Sequence, residues 1–424
     1  MRDEDLRPAT ATPAPAPRDF TRAALVVSVG LLVTGLGWPG TIGRLPLGLL
    51  LKNQFNASPQ QVSGFWAIAT LPWYVKPLFG LLSDCFPIAR TRRQGYLIIG
   101  AALAATCWAT LAIVPRAYAP FLLTLIVLNV GLVVVSTAIG AIIVEEGQRQ
   151  RATGRLSALR SALEGVMAIV SGRLGGWLAG VAFAYTSLTG AAIVLTMVPV
   201  AWLFFREPVR AQPTRTPWLR ARAQLKTCLS SRSVWMVAGL VFLVFLSPGL
   251  QTPLMYYQQD VLKFEPGFMG TLQTVGGVCA FAGALTYAWL CRRVPLRWSL
   301  IGGIVLSALT TLLYLNYASA KSALWIEGAT GFFGAIALLP LYDLTARATP
   351  EGSESFGYAL VLSVRTIALF AISDPLGSLL YGRFHLPLSQ LIWINAGFTL
   401  LVLAFVPFLP ALLLAAREEG SGVA

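Results

Sequence analysis

The sequence predicts an all-α integral membrane protein with twelve transmembrane helices in two halves of six. The chain of 424 residues is 56% hydrophobic and only 12% charged, whereas a soluble domain is roughly 25% charged. Apolar segments of about 20 residues, the length that crosses a bilayer, recur along almost the whole chain. Each segment is continuous rather than alternating in polarity, which favours helices over a β-barrel.

The apolar segments fall into two sets on either side of a basic interruption. The first set lies near residues 23–51, 60–82, 95–115, 118–144, 156–183 and 185–205. The second lies near 233–257, 267–290, 298–317, 322–346, 356–381 and 388–415. We therefore expect a disordered cytoplasmic N-terminus at 1–22, one six-helix half at 23–205, a basic cytoplasmic linker at 206–232, a second half at 233–415 and a cytoplasmic tail at 416–424.

Lysine and arginine are concentrated in every second connection between the segments. If both termini lie inside, the inner connections hold clusters such as the three arginines within 90–93, while each outer connection holds at most one basic residue. The positive-inside rule then places both termini in the cytoplasm. We expect a multi-pass protein of a bacterial inner membrane, monomeric in the bilayer.

The basic loops also account for the net charge of +14, so a nucleic-acid partner is not expected. The five cysteines form no CxxC pair, and His385 is the single histidine and lies in an outer loop. We therefore expect neither a metal site nor a cofactor. A soluble domain and a nucleotide-binding GxxxxGK[ST] loop are also absent from the sequence, which disfavours an enzyme.

The two halves are weakly similar to each other. GLLSDCFPIARTRR follows the second segment and YAWLCRRVPLR follows the eighth, and both are short basic turns that lead into the next segment. Two six-helix halves joined by a basic linker resemble the major facilitator superfamily. The resemblance implies a site near the bilayer midplane, around which the halves rock to give alternating access.

A closer resemblance rests on the stretch at 71–97, LPWYVKPLFGLLSDCFPIARTRRQGYL. It is similar to the signature of the folate-biopterin transporter family, in which an LPW-x-x-KP-x-x-G-x-x-SD-x-x-P run leads to an Arg-rich turn and a tyrosine. FLSPGLQTPLMYY, LKFEPGFMGTLQTVGG and ATPEGSESFGYALVLS match further along, in the expected order. The resemblance covers roughly 23–410 and implies a secondary carrier of folate or pterin-like anions.

The same stretch implies an inner gate made of Lys76, Gly80, Asp84, Arg92 and Arg93. In the superfamily the acid of this loop faces the start of the eleventh helix, whose free N–H groups favour a negative charge. Lys76 lies about two turns from the inner surface, and it can snorkel or join that charge cluster. We favour this gating role over direct substrate contact.

One departure from the family pattern concerns the fourth segment. Where the family often carries acids, this chain has Ser136 and Gly140, and it keeps only the terminal Glu145 and Glu146. If those acids carry protons or contact the pterin, this chain transports something else. A carrier or exporter of another small molecule, such as a drug, a sugar or a peptide-like metabolite, is therefore the alternative, and a membrane receptor or enzyme is disfavoured.

Ionisable side chains inside a membrane are energetically costly, so each one is a functional hypothesis. Arg365 lies near the bilayer midplane on the eleventh segment and is predicted to bind substrate. Asp374, on the same segment, is predicted equally as a proton carrier and as a gate. The residues that we expect to couple transport to protons are Glu327, Asp374, Glu164 and Glu145. For Glu164, a structural pair with Arg160 is an equal alternative.

Glycine and proline interrupt the first segment of each half, in TGLGWPGTIGRLPLG and in LSPGLQTP. Interruptions at corresponding positions of the two halves indicate a transport site. Arginine can hold a carboxylate by two hydrogen bonds, and aromatic faces suit a heterocycle. The predicted substrate residues are Arg44, Arg365, Trp38, Gln251, Tyr256 and Tyr257.

Overall fold

The computed structural model describes residues 17–86, 88, 91, 93–149, 153–205, 222, 225–291, 293–350 and 354–409. Over these residues the backbone is helical apart from short connections, and no β-strand occurs among them. Most of the predicted N-terminal segment and linker, the predicted tail, Arg92, and the side chains of Asp84 and Glu145 lie outside the described part.

The first half of the chain forms ten helices among the described residues. These helices are α1 (Pro17–Leu36), α2 (Arg44–Asn53), α3 (Pro59–Ala69), α4 (Leu71–Tyr74), α5 (Lys76–Cys85), α6 (Gln94–Thr110), α7 (Tyr118–Arg149), α8 (Thr153–Ala179), α9 (Phe183–Leu195) and α10 (Met197–Phe204).

The second half repeats this pattern of long and interrupted helices. It contains α11 (Arg232–Leu246), α12 (Gln251–Asp260), α13 (Pro266–Leu290), α14 (Leu296–Leu313), α15 (Ala320–Ala348), α16 (Glu354–Thr366), a π-helical segment (Ile367–Ser373), α17 (Asp374–Gly382) and α18 (Leu388–Leu401). Short 3₁₀ segments follow α14 and α18, at Tyr314–Asn316 and Val402–Phe408.

Eight helical stretches among the described residues are long and apolar enough to cross a membrane. The first two predicted segments are not among these eight, and both are broken, one between Leu36 and Arg44 and the other at Thr70 and Val75. The structure therefore confirms an all-helical membrane protein. The number twelve stays a prediction.

Two large apolar cores lie at the centres of the two sets of helices. The first is formed mainly by residues between Val26 and Ala201, with Tyr256 and Phe370 added from the second set. The second is formed by residues between Val234 and Leu409. Since most residues of each core come from one set, contacts between the sets are concentrated at a few places.

Glycines of α8 and α13 bring the backbones of the two sets into contact. A Cβ atom placed on Gly176 would lie 2.6 Å from Cα of Gly270, and one placed on Gly172 would lie 2.5 Å from the backbone nitrogen of Thr274. Gly180, in the same stripe, has ordinary space around it. The small residues thus let two backbones touch, as such stripes do in membrane helices.

A second group of contacts joins the two sets where α2 and α12 end, next to the connections 54–58 and 261–265. We call this region of the protein the far end. The Lys52 ammonium lies 2.5 Å from the Asp260 carboxylate. The Gln259 amide donates to Asn53 at 3.2 Å, and the Tyr256 hydroxyl donates to the carbonyl of Ala57. These contacts hold the C-terminal part of α12 against the first set.

Candidate binding site between two broken helices

The first break separates α1 from α2 and includes the sequence GWPG at 37–40. Pro39 cannot donate a backbone hydrogen bond, and two glycines flank the Trp-Pro pair. A Cβ atom on Gly40 would lie 2.6 Å from the ring of Trp38, so the tight turn requires glycine there. The carbonyl of Gly37 is satisfied by the indole N–H of Trp108 at 2.7 Å. The predicted interruption is therefore present.

The second break separates α11 from α12 at SPGL, residues 247–250. Hydrogen bonds from neighbouring helices satisfy its backbone groups, as a break inside a membrane requires. The N–H of Gly249 donates to the carbonyl of Ser373 at 2.8 Å, and the Ser373 hydroxyl donates to the carbonyl of Ser247 at 2.6 Å. The Asn395 amide donates to the carbonyl of Pro248 at 2.8 Å.

An ion pair joins the two breaks. Arg44 begins α2, and its guanidinium lies 3.5 Å from the carboxylate of Asp374, whose side chain is only 1% exposed. That carboxylate also accepts hydrogen bonds from the backbone N–H of Thr252 at 2.9 Å and from its hydroxyl at 2.7 Å. Asp374 therefore caps the start of α12, where free N–H groups favour a negative charge.

The π-helical segment ends immediately before Asp374. Pro375 has no N–H to bond the carbonyl of Ala371, and such losses distort a helix. Widened turns of this kind are frequent at functional sites. After this segment Asp374 pairs with Arg44, whereas Arg365, which precedes the segment, lies over Phe245.

The guanidinium of Arg44 is only partly satisfied. Its Cζ lies 4.7 Å from the ring centroid of Trp66 and 5.7 Å from that of Phe370, so aromatic faces cover it. Its Nη1 is buried and has no hydrogen-bond partner among the described residues. Leaving a buried donor unpaired costs about 1–3 kcal/mol, and more for a charged group. An anion placed beside Nη1 would remove that cost.

Arg44 lines a cavity of about 360 Å³. This volume falls in the range of small-molecule sites, roughly 300–1,000 Å³. The wall combines apolar residues with a few polar ones from both sets of helices. The lining residues are Arg44, Leu45, Val62, Trp66, Leu250, Gln251, Thr252, Leu254, Met255, Gln258, Met269, Leu272, Gln273, Tyr314 and Glu327.

Glu327 contributes the second charge of this cavity. Its carboxylate accepts a hydrogen bond from the Tyr317 hydroxyl at 3.1 Å, and that hydroxyl accepts one from the Gln258 amide at 2.6 Å. The Tyr314 ring stacks on that of Tyr317, with 5.4 Å between the centroids. The cavity therefore has a guanidinium and a carboxylate in its wall, with amide side chains beside them.

The cavity wall includes two of the predicted substrate residues, Arg44 and Gln251. Tyr256 instead bonds the carbonyl of Ala57, and Tyr257 packs in an apolar cluster with Tyr317 that borders the cavity, without itself lining the wall. The guanidinium of Arg365 lies 4.6 Å from the ring centroid of Phe245 and is not part of this wall. The roles of these three residues in substrate binding stay predictions.

Trp38 does not line the cavity either. It belongs to a polar and aromatic cluster that was not predicted from the sequence. Asn129, fully buried in α7, accepts hydrogen bonds from the indole of Trp38 at 3.1 Å and from that of Trp73 at 2.7 Å. Trp38 packs edge-on against both Trp73 and Phe370. A lone asparagine in the apolar run LIVLNVGLV was the available signal.

The predicted inner gate is described only in part. The ammonium of Lys76 donates to the Ser136 hydroxyl at 2.9 Å and lies 5.3 Å from the ring centroid of Trp73. Gly80 packs near Thr137, and Arg93 is buried. Lys76 therefore lies beside Ser136, at which the resemblance described above leads us to expect an acid. The gating role stays a prediction.

The other predicted proton-coupling residues lie away from the cavity. Glu164 is exposed on α8 and does not contribute to this wall. The side chain of Glu145 is outside the described residues. Their coupling roles stay predictions, and Glu327 and Asp374 are the two acids that the structure places at the breaks and the cavity.

Comparison with known proteins gives relatives along nearly the whole chain. A protein of Synechocystis sp. named folate-biopterin transporter is 26% identical over 403 residues, which cover 87% of this chain and 78% of that protein. Folate transporter 2 of Plasmodium falciparum is 23% identical over 411 residues, which cover 92% of this chain and 88% of that protein.

Solved structures of membrane transporters share the fold. A D-xylose–proton symporter superposes with a TM-score of 0.69 at 14% identity, covering 95% of this chain and all of that one. A nucleoside transporter superposes with a TM-score of 0.67 at 13% identity, covering 92% of this chain and all of that one. A model of the BT1 family matches residues 37–420. The chain therefore belongs to the BT1 family, and it has the fold of the major facilitator superfamily.

Proposed function

We propose that the protein is a secondary active transporter that moves folate or a pterin-like organic anion across the membrane by alternating access. The observation that carries this proposal is the guanidinium of Arg44, which lies between two broken helices and has one buried nitrogen without a partner. Broken helices at corresponding positions of two halves are the usual place for a transported substrate.

The cavity wall supports an anionic, partly aromatic substrate. The free nitrogen of Arg44 can donate to a carboxylate, and charge-assisted hydrogen bonds are about twice as strong as neutral ones. The amides of Gln251, Gln258 and Gln273 can donate to and accept from a heterocycle. Trp66 and the methionines supply apolar surface. The names of the relatives indicate the same class of substrate.

The arrangement in the membrane is part of this proposal. We infer twelve spans, a bacterial inner membrane and a monomeric carrier. We also infer cytoplasmic termini, because the basic residues lie in every second connection between the spans. The two sets of helices, 23–205 and 233–415, act as the rocking halves. The contacts at the far end then belong to the outer side of the protein.

Uptake into membrane vesicles tests the substrate class. Radiolabelled folate, biopterin and unrelated organic anions are offered to vesicles that contain the protein and to vesicles from an empty-vector control. We expect saturable uptake of labelled folate or biopterin, and we expect the same compound without label to inhibit that uptake. Equal uptake by both kinds of vesicle would contradict the proposal.

A carrier of another small molecule is the second candidate, and a specific observation favours it. The hydroxyl of Ser136 lies next to Lys76, where the family resemblance leads us to expect an acid, and a Cβ atom placed on Gly140 would meet no atom within 4 Å. Saturable uptake of one of the unrelated anions, with none of folate or biopterin, would favour this candidate.

We also predict that transport is coupled to protons through Glu327, Asp374 or both. Replacing Glu327 with glutamine or Asp374 with asparagine keeps the shape but removes a group that can carry a proton. We expect at least one variant to lose uphill accumulation driven by a proton gradient, while it still exchanges labelled for unlabelled substrate. The measurement is accumulation against pH in vesicles. If both variants accumulate substrate as the unmodified protein does, coupling lies elsewhere, with Glu145 and Glu164 as the next residues to test.

A further inference from the structure

A second cavity lies inside the second set of helices. Its volume is about 310 Å³, and residues of α11, α14, α15 and α18 form much of its wall. Polar groups are spread over that wall rather than collected at one point. The polar lining residues are Ser247, Gln251, Ser307, Ser373, Asp374, Asn395 and Thr399.

The two cavities border different partners of the Arg44–Asp374 ion pair. Arg44 lines the first cavity, Asp374 lines the second, and Leu250 and Gln251 line both. The partition between them is therefore the ion pair together with the start of α12. Arg44 is therefore accessible to a substrate in the first cavity, and Asp374 is accessible to molecules in the second cavity.

We propose that the second cavity is a water-filled path that carries protons to Asp374, separate from the cavity that holds the substrate. This inference rests on the proposed transport function and assigns the proton and the anion to different partners of one ion pair. A cavity needs only about 10–15 Å³ of accessible volume and a few polar partners per water molecule. A volume of about 310 Å³ lined by hydroxyls, two amides and a carboxylate meets both requirements.

The charges balance when the proton and the anion enter together. A proton from the second cavity converts the carboxylate of Asp374 to a carboxylic acid, and the attraction to Arg44 is lost. Arg44 then keeps its full positive charge for a carboxylate in the first cavity, so one proton and one negative charge enter as a neutral pair. The hydroxyl of Thr252, which now donates to Asp374, can rotate and accept the new O–H.

Arg44 is the charged group that faces Asp374 among the described residues. The helices α3 and α18, which pack against α17, contain no ionisable side chain, and neither does the π-helical segment. The ionisable residues of α12, which are Tyr256, Tyr257 and Asp260, lie toward the far end. Arg365 precedes the π-helical segment and lies over Phe245.

Filling the second cavity tests the path without touching the ion pair. Gly334 lines the cavity, and a Cβ atom placed on it meets no atom within 4 Å, so Gly334→Leu extends into open space. Gly302 has the same freedom but does not line the cavity, so Gly302→Leu is the matched control. We expect Gly334→Leu to lose proton-driven accumulation, down to the level reached without a proton gradient, and to retain substrate exchange. Accumulation by Gly334→Leu equal to that of Gly302→Leu would overturn the inference.

A labelling experiment covers the case in which Gly334→Leu fails to insert. Ser307→Cys is treated in native membranes with a small, membrane-permeant thiol reagent, and the unmodified protein gives the background from its own cysteines. Labelling above background is expected for a wet cavity, and its absence overturns the inference. A failure of the proposed substrate class would instead appear as a lack of folate and biopterin exchange in the unmodified protein.

Discussion

Arg44→Ala is expected to abolish substrate binding while the protein still inserts in the membrane. The change removes the guanidinium that faces the first cavity, and it leaves Asp374 with the two hydrogen bonds from Thr252. Truncating a buried, hydrogen-bonded charge typically costs about 2–5 kcal/mol, which corresponds to at least about 30-fold in affinity. Binding of labelled folate or biopterin to purified protein measures the loss.

Arg44→Lys should restore binding only in part. Lysine keeps the charge but cannot reproduce two parallel hydrogen bonds or the contact of a flat guanidinium with Trp66. Arg365→Ala is assayed in parallel, because the midplane arginine is the other predicted anion-binding residue. Lost binding in Arg365→Ala together with normal binding in Arg44→Ala would move the substrate site to Arg365 and contradict the assignment given above.

Gly176→Leu is expected to prevent the two sets of helices from packing and thereby to abolish transport. The backbones of Gly176 and Gly270 are in contact, so even a Cβ atom would lie 2.6 Å from the neighbouring Cα. A backbone cannot move away as the end of a flexible side chain can, and overpacking of a well-packed contact typically costs about 1–3 kcal/mol or more. The yield of monodisperse protein in detergent, its thermal unfolding temperature and vesicle uptake measure the effect.

Gly180→Leu is the matched control for this prediction. Gly180 belongs to the same glycine stripe, but a Cβ atom there meets nothing closer than 3.5 Å, which is an ordinary contact. We expect this variant to express, unfold and transport like the unmodified protein. If both variants were equally impaired, the cause would be the loss of any glycine from this stripe, and the contact between α8 and α13 would not explain the effect.

The sequence alone determined the class of protein and the places where the helices break. Composition and segment length are properties of the chain, and the preference of a continuous apolar run for a helix in lipid is a local matter. The breaks at GWPG and SPGL follow from residues within a few positions, because proline lacks an N–H and glycine permits tight turns. That is why both breaks were predicted, together with Arg44 and Gln251 beside them.

The tertiary structure decided which side chains meet. Arg44 and Asp374 are 330 positions apart in the chain, and their contact depends on how α2, α12 and α17 pack. The π-helical segment before Asp374 changes the register of side chains around that helix, which a regular 3.6-residue period does not predict. Tyr256 and Tyr257 follow the second break as expected, yet helix packing directs one to the far end and the other to an apolar cluster beside the cavity, and neither lines its wall. A break is set by neighbours along the chain, whereas the wall of a cavity is set by the packing of helices that are distant in sequence.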